Sequence, residues 1–371
     1  MEVTVLLLII FVVVTIVVGS VTAMGATRRI DRERRQFRIA ILPVATENPR
    51  YWVLGLVPGL LLSLVFIGGA LTLPPALVML LGVLSGVLAL IPAYFPVLIG
   101  VSGLLYLLLP HEVSRTLGGV PSIATWGANF GLVVGAILLV TALGNRLLPY
   151  HSAPDLMKRH GRTWVQYLVH QRIWLPIIMP IPADMVAHLG WWPHVSVAGI
   201  NVALTLLPAF MGLGIRHRQP SATGILRRDT LAVGLVAIVS LVLGVLGRVG
   251  VLAPQMVVVM VAEVSMFGSL LSLMARYERP AIAAAAGGVR VVAVLDHTPA
   301  AKMQLQRGDT ILQCNGQAVP TNADLYAATQ NLGTFCRLRV RGFDGQIRLA
   351  ETAIYKGTPH MLGIITFPEG E

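Results

Sequence analysis

The chain has 371 residues and a net charge of +11, with 55% hydrophobic and only 12% charged residues, whereas soluble globular domains usually carry about 25% charged residues. Together with a mean hydropathy of +0.76 and repeated long apolar runs, this composition places most of the chain in a lipid bilayer. It excludes a wholly soluble enzyme, a secreted disulfide scaffold and a disordered chain.

The excess positive charge lies in the apolar part of the chain. Residues 1–280 hold 20 of the 28 Lys and Arg residues but only 10 of the 17 Asp and Glu residues. Basic clusters between apolar runs set membrane orientation and attract anionic lipid. Nucleic-acid binding, the other common explanation of a basic chain, has no supporting motif, and we expect no nucleic-acid partner.

The first apolar run, 3–23, is followed by an Arg-rich stretch, 24–51, and has no basic residue before it. A signal peptide has the opposite arrangement, so the run is predicted to be a retained anchor with its N-terminus outside. The interleaved acids Asp31 and Glu33 suggest an amphipathic helix that continues the first span. The basic residues predicted to contact the membrane surface are Arg28, Arg29, Arg32, Arg34 and Arg35.

Eight further apolar runs follow, near 52–72, 74–92, 94–110, 126–144, 173–192, 194–214, 230–247 and 255–275. An odd total of nine spans would put the C-terminus inside. The stretches that would then be cytoplasmic contain 18 Lys and Arg residues, whereas the outer connections carry only Arg115 and Arg248, as the positive-inside rule requires. The run at 173–192 contains several prolines, and two other runs are short, so these runs need not form complete spans. The sequence is therefore compatible with seven to nine spans.

A composition change marks the end of a multi-span membrane domain at 1–280. Residues 281–286 are rich in alanine and are predicted to form a linker before Gly287-Gly288. In the domain at 287–371, the apolar residues occur in short runs typical of strands, and two short helices are predicted between these runs. The fold class is therefore a polytopic α-helical membrane domain followed by a small α+β domain.

A recognisable set of short motifs lies in the C-terminal domain: Pro299-Ala300-Ala301-Lys302, Leu305, Gly308-Asp309-x-Ile311 and Asn315-Gly316. These motifs resemble the signature of bacterial PDZ domains, and the resemblance covers about residues 287–368. A departure is Met303-Gln304, where the family often has Ala-Gly, and this change concerns a helix end outside the peptide groove.

By this resemblance, a partner's extended peptide would pair with a receiving strand at 289–294, opposite a helix at 322–329. The implied peptide-binding residues are Gly287, Gly288, Val289, Val291, Val292, Asn322, Leu325 and Thr329. Gly287-Gly288 would supply backbone N–H groups to a terminal carboxylate, and Leu362-Gly363-Ile364 is an alternative carboxylate loop. Binding of an internal segment or a neighbouring domain is the other interpretation of such a domain.

Candidate catalytic groups are few, and we expect no enzyme activity, metal or cofactor. His111-Glu112 lacks the second His of a zinc protease motif. Gly100-Val101-Ser102-Gly103, with His188 on a later span, resembles the rhomboid serine protease motif, but the Gly expected three positions after the His is absent. Cys314 and Cys336 form no CxxC pair and are predicted to be buried free thiols.

Glu263 and Asp184 are the two acids predicted to lie well inside spans, where a charged side chain is costly. A transporter interpretation would begin with them. The favoured interpretation is a protonated or hydrogen-bonded acid that packs against another helix.

The complete layout, with an N-terminal anchor, the Arg-rich segment 28–37, several spans and one terminal PDZ-like domain, resembles the MinJ family of cell-division topological determinants. The resemblance implies a multi-pass protein of the cell membrane, enriched at the septum and poles, that bridges the polar scaffold DivIVA and the division inhibitor MinD. Our leading hypothesis is a non-enzymatic membrane adaptor. Alternatives are a transporter-like bundle with a regulatory PDZ domain and a PDZ-containing intramembrane protease.

Overall fold

The computed structural model describes residues 3–42, 54–91, 95–109, 122–148, 150–159, 161–186, 190–197, 199–276, 282–330, 333–355 and 360–368. These residues form a helical part into which a long antiparallel hairpin is inserted, followed by a C-terminal domain built on a six-stranded sheet.

Seven helices occur among the described residues of the helical part. They are α1 (Val3–Phe37), α2 (Leu56–Gly68), α3 (Pro75–Leu90), α4 (Ser102–Leu107, preceded by a 3-10 turn at Pro96–Val101), α5 (Ile123–Leu147), α6 (Thr223–Arg248) and α7 (Pro254–Ala275). Within the described residues, α1, α5, α6 and α7 are long and apolar enough to cross a membrane. The amphipathic continuation of the first span is confirmed, because α1 runs unbroken to Phe37.

The two helical spans predicted near 173–192 and 194–214 are wrong. The chain there forms β1 (Ser152–Arg159), β2 (Arg162–Pro182), β3 (His194–Val197) and β4 (Ile200–His217), in the order β1-β2-β4-β3 and with antiparallel neighbours. Alternate residues of β2 are almost fully buried among the helices: Ile173, Leu175, Ile177, Met179 and Ile181. This two-residue period belongs to a strand rather than a helix.

The outer edge of β2 shows how a strand is tolerated within an apolar bundle, where every backbone N–H needs a partner. The N–H of Ile178 points away from β4 and donates to Ser63 Oγ of α2 at 2.8 Å. In an antiparallel pair, every second residue points the same way, and here these positions include Pro176, Pro180 and Pro182. Proline has no N–H, so most of this edge has no donor to satisfy.

The outer edge of β4 is arranged in the same way against α3. Ser85 Oγ donates to the carbonyl oxygen of Pro208 at 3.2 Å and accepts from the N–H of Phe210 at 3.4 Å. Close approach of the helices needs glycine, since a Cβ at Gly59 would lie 2.8 Å from the carbonyl oxygen of Pro176. The edges of the hairpin are therefore covered by helices through small and hydroxylated residues.

A buried ion pair joins the start of α6 to the end of α7. Asp229 Oδ1 lies 2.9 Å from Arg276 Nη2 and also accepts from Ser272 Oγ at 2.8 Å. Arg276 Nη1 donates to the carbonyl oxygen of Gly214 in β4 at 3.0 Å, and its guanidinium lies over the Phe95 ring. The pair thus fixes both helices to the hairpin at the end of the bundle that carries the C-terminal domain.

The C-terminal domain contains β5 (Val289–Val294), α8 (Pro299–Lys302), β6 (Thr310–Cys314), β7 (Gln317–Ala318), α9 (Asn322–Gln330), β8 (Phe335–Arg341), β9 (Ile347–Ala353), a 3-10 turn at His360–Gly363 and β10 (Ile364–Thr366). The strand order is β10-β5-β6-β8-β9, and β7 pairs with β6. Cys314 and Cys336 are buried and free, as predicted. Their mutual hydrogen bond and burial raise the pKa of the Cys336 thiol.

The segment predicted to be a linker is bound to the hairpin where it is described. The side chain of Ile282 is fully buried, and its carbonyl oxygen accepts from the N–H of Val165 at 2.9 Å. Ala283 forms a β-bridge with Trp164. The segment that leads into the C-terminal domain therefore pairs with β2, in addition to the contacts that the domain itself makes with β2.

Candidate functional site

A free strand edge lies at one end of the six-stranded sheet. β10 pairs with β5 on one side, and among the described residues no strand pairs with its other side. The N–H of Phe367 donates to Arg290, and the carbonyl oxygen of Gly363 accepts from Leu295, both at 2.9 Å. Because these odd positions face β5, the backbone groups of Ile364 and Thr366 face outward. This edge can accept another extended chain.

The receiving strand predicted at 289–294 has no such free edge. Along one side of β5, Val291 exchanges backbone hydrogen bonds of 2.8 Å with Asp309 and Gly308. Its other side carries β10. Val289 and Val291 point into the core of the domain, and the carbonyl oxygen of Val292 is already bonded to Tyr167. β5 therefore offers no free edge to a partner peptide, and the free edge belongs to its neighbour β10.

The two candidate carboxylate loops occupy opposite ends of the β5-β10 pair. Leu362 and Gly363 enter β10 with φ of 59° and 83°, a backbone shape that a non-glycine residue such as Leu362 adopts only under strain. A Cβ at Gly363 would lie 2.5 Å from the Thr298 side chain. Gly288 instead lies against β6, where a Cβ would be 2.6 Å from the carbonyl oxygen of Ile311. The 362–364 loop is the one that leads directly into the strand with the free edge.

Helix α9 forms the opposite wall and is fixed at its N-terminus. Thr321 Oγ1 and Asp324 bond each other's backbone N–H groups in a capping box. Asn322 Nδ2 donates to the carbonyl oxygen of Phe367 at 2.8 Å, which ties the helix to the end of β10. Leu325 is fully buried in the core, and Thr329 Oγ1 bonds its own helix at Tyr326. Of the residues predicted on α9, Leu325 therefore belongs to the domain core, and Asn322 is bonded to the end of β10.

The face of β10 away from the domain core rests on the membrane part. Ile365 packs with Ala293 and Ile41, the last of which follows α1. Phe367 packs with Val292 and Tyr167 of β2. The position of the strand edge relative to the bundle is thus set by apolar contacts that the sequence analysis did not foresee.

A polar cluster around Tyr167 completes this interface. Tyr167 Oη donates to the carbonyl oxygen of Val292 at 2.6 Å, its ring stacks on His217 at 5.1 Å, and Arg307 lies over the ring at 4.8 Å. Arg307 Nη2 also donates to the carbonyl oxygen of Ser152 at 3.1 Å. Burial raises the pKa of Tyr167, so its hydroxyl stays a donor. Burial lowers the pKa of His217 to about 4, which keeps the imidazole neutral near pH 7.

Glu33 holds the chain reversal that brings Ile41 to the domain. Its side chain is buried, with Oε1 2.7 Å from Arg29 Nη1. Oε2 accepts from the N–H groups of Ile41 at 2.7 Å and Leu42 at 3.2 Å. Arg29, predicted to contact the membrane surface, is therefore engaged within the chain.

The other predicted surface basic residues lie on the exposed faces of α1. Arg28, Arg34 and Arg35 are exposed. Arg32 is exposed as well but pairs with Asp155 Oδ2 of β1 at 3.1 Å. Three guanidinium groups near the end of the first span thus remain exposed and could contact lipid headgroups.

The candidate catalytic and transport residues do not form a site in the described part of the chain. Ser102 Oγ is buried and donates to its own turn at Ile99, 2.7 Å away. His111-Glu112 and His188 lie outside the described residues. Asp184 is exposed in a 3-10 turn after β2 and lines an open cavity of about 1270 Å³ at the end of the bundle away from the C-terminal domain. Glu263 is exposed on α7 rather than packed against another helix. No metal-binding cluster occurs among the described residues.

Comparison with known proteins gives long matches. No family model matches the chain. It is 33% identical over 366 residues to a protein of Lacticaseibacillus paracasei named probable cell division topological determinant MinJ, with 94% of each chain covered. A protein of Bacillus subtilis (strain 168), named cell division topological determinant MinJ, is 26% identical over 369 residues, which cover 96% of this chain and 90% of the relative.

Proposed function

The chain belongs to the MinJ family of cell division topological determinants, and from this premise we propose that it is a non-enzymatic membrane adaptor that recruits cytoplasmic partners by strand addition to β10. The free edge of β10 (Ile364–Thr366), opposite α9, is the observation that carries the proposal. A PDZ domain binds in this way: main-chain hydrogen bonds supply affinity, and side-chain pockets supply selectivity.

The 362–364 loop would set the orientation of a bound peptide. Two successive residues with positive φ at Leu362 and Gly363 can turn backbone N–H groups toward one point, and such arrangements bind anions. A partner with a free C-terminus would place its carboxylate there and run antiparallel to β10. The 3-10 turn that contains the loop also contacts α9, so strand, loop and helix form one continuous groove.

The proposed partners are DivIVA and MinD, by the family resemblance, and the proposed place of action is the cell membrane at the septum and poles. Binding in the membrane plane raises the effective concentration of partners, so weak groove contacts suffice for recruitment. The exposed Arg28, Arg34 and Arg35 would add attraction to an anionic inner leaflet, about 1 kcal/mol for each basic residue near the surface.

Thr366→Pro tests strand addition directly. The N–H of Thr366 faces away from β5, so proline removes an outward donor without removing a bond of the sheet. We expect recruitment of DivIVA or MinD to full-length chain in native membranes to fall at least about tenfold, because a main-chain bond is lost and the ring blocks the edge. Crosslinking followed by mass spectrometry measures the recruited partners. Val291→Pro would be a poor test, since its N–H bonds Asp309 within the sheet.

Thr366→Val is the matched control. It keeps the outward N–H and the β-branched shape, and it should recruit partners at the level of the original chain. The thermal midpoint of each purified variant reports folding. If Thr366→Pro unfolds like the original chain and still recruits both partners normally, strand addition to β10 is refuted.

A further inference from the structure

An open cavity of about 770 Å³ lies between the end of α5 and the start of α6. It is found at the end of the bundle that carries the C-terminal domain, because a Cβ at Gly308 of that domain would lie 3.1 Å from Pro220 Cγ, just before α6. Both helices are long and apolar enough to cross a membrane. Their ends therefore reach the level of the lipid headgroups.

The cavity forms because α5 and α6 pack closely in one half and more loosely in the other. A Cβ at Gly131 would lie 3.0 Å from Gly244 Cα, so the two backbones are in contact there. A Cβ at Gly234, nearer the cavity, would meet only the Cβ of Ala142, 3.9 Å away. The polar residues at this end of the two helices therefore line a space between them.

The cavity is lined by positive charge and by hydrogen-bond donors. Arg146 and Arg227 are both exposed there, and no Asp or Glu is among the described lining residues. A guanidinium group presents paired N–H donors that match the oxygens of a phosphate, and the hydroxyls of Thr223 and Tyr150 can donate as well. Asn145, also in the lining, has a buried Nδ2 that bonds no residue in the described part of the chain.

Apolar side chains continue from the cavity along the outside of the two spans. Leu147 and Leu231 line the cavity and are 76% and 57% exposed. Leu143 and Leu235 lie one turn further into the apolar part of each helix and on the same faces, and they are exposed too. Donors at the helix ends followed by leucines along the spans match a phospholipid, in which one phosphate is joined to two acyl chains.

We propose that this cavity binds the phosphate of an anionic phospholipid, with Arg146 and Arg227 on the phosphate oxygens and the acyl chains along Leu143 and Leu235. Basic pockets between membrane-spanning helices bind anionic headgroups in this way. A zwitterionic lipid binds less tightly, because the two guanidinium groups repel its headgroup cation. The bound lipid fills the gap between α5 and α6 and so stabilises the bundle. The site needs neither β10 nor the arginines of α1.

Native mass spectrometry of the purified full-length chain in a neutral detergent tests the proposal. Titration with phosphatidylglycerol should reveal one lipid that binds at least about tenfold more tightly than phosphatidylcholine. The double variant Arg146→Gln/Arg227→Gln should lose this tightly bound lipid. Its thermal midpoint without lipid should equal that of the original chain, since both side chains are exposed, and phosphatidylglycerol should raise the midpoint of the original chain alone.

Arg228→Gln is the matched control for Arg227→Gln. Arg228 is the next residue of α6 and is also exposed, but it does not line the cavity, since one residue turns the helix by about 100°. Arg227→Gln should weaken phosphatidylglycerol binding about tenfold, the effect of losing a hydrogen bond to a charged group, whereas Arg228→Gln should leave it unchanged. Equal losses in the two variants overturn the proposal, as does a tightly bound lipid that survives in the double variant.

Inorganic phosphate distinguishes a lipid from a free phosphate group. Added at the same concentration as phosphatidylglycerol, it should not raise the thermal midpoint of the original chain, because it has no acyl chains to lie along the leucines. An equal rise would assign the cavity to free phosphate and overturn the lipid assignment. Equally tight binding of phosphatidylcholine, or no tightly bound phosphatidylglycerol at all, would also overturn the proposal.

Discussion

Tyr167 of β2 contacts the C-terminal domain with both its hydroxyl group and its ring. Its hydroxyl bonds the carbonyl oxygen of Val292, while the ring lies between His217 and Arg307. Arg307 comes from the C-terminal domain, and His217 ends β4. A neutral imidazole is required here, because a second cation beside Arg307 would be repelled in a buried site. The protonation of one histidine therefore affects how firmly the domain is held.

Acid should loosen this interface within a defined range of pH. The unfolded imidazole titrates near 6.5, whereas burial lowers the pKa of folded His217 to about 4. Between these values the unfolded chain binds a proton that the folded chain does not, so the free energy of unfolding falls as pH drops from about 6.5 to about 4. The full loss is on the order of 3 kcal/mol. Thermal midpoints of the purified chain between pH 7.5 and pH 4.5 measure it.

His217→Phe is the control for this titration. Phenylalanine can still stack on Tyr167, but it cannot bind a proton and loses the bonds to Ser152 and Gln219. The variant should be less stable than the original chain at pH 7.5 and should change less on acidification. An equal fall in both proteins would assign the pH dependence to other groups.

For single residues, the sequence predicts those features that depend only on residues nearby in the chain. The free thiols Cys314 and Cys336 follow from the absence of a CxxC pair, and both are present. The partners of Glu33 and Tyr167 lie in distant or irregular segments. No local pattern marks a carboxylate that accepts two N–H groups from a chain reversal eight residues later.

The hairpin of β2 and β4 shows why hydropathy alone misidentified an element. Length and apolarity at 173–192 match a helical span, and both properties are equally compatible with a strand that is buried on both faces. The sequence did contain a signal that distinguishes a strand from a helix here: the prolines Pro176, Pro180 and Pro182 all lie at even positions. Prolines at such intervals disrupt a helix but suit one edge of a strand. Nine residues, 173–181, extend about 30 Å as a strand, the thickness of the hydrocarbon core.

Ser63→Ala should destabilise the chain through this edge. The substitution leaves the buried N–H of Ile178 without its acceptor, and an unsatisfied buried donor costs about 1–3 kcal/mol. Ser269→Ala is the matched control, because Ser269 is also buried and bonds only the carbonyl oxygen of Ser265 in its own helix. Chemical denaturation of the two purified variants compares them. Equal losses would mean that α2 does not supply the missing partner of β2.

The order of strands in the C-terminal domain could not be read from the sequence, although most of the strands themselves could. The run at 289–294 was predicted to be a strand, and it forms β5 at that position. The edge, however, is supplied by three residues near the end of the chain that return to pair with β5. Such a pairing is non-local, and no turn between the two strands fixes it. The prediction of a free edge at 289–294 therefore failed, because β5 has a neighbouring strand on each side.

The C-terminal domain contacts the membrane part at several places in the described part of the chain. Ile41 after α1 packs on β10, Tyr167 bonds β5, and Ile282 pairs with the start of β2. The basic end of α1, with Arg32, and the starts of β1 and α6 lie at this same end of the bundle. Positive charge and the domain therefore share one side, and by the positive-inside rule we expect that side to be cytoplasmic.

Labelling of single cysteines should show that the hairpin crosses the membrane in this direction. Lys158 and Asp184 are both exposed and lie on either side of the apolar part of β2. With a membrane-impermeant maleimide, Asp184→Cys should react in intact cells, whereas Lys158→Cys should react only after the membrane is opened. The original chain gives the background, because its two thiols are buried. Reaction of both positions from the same side would show that 173–181 does not span the bilayer. Reaction of Lys158→Cys alone in intact cells would reverse the orientation and remove the groove from cytoplasmic partners.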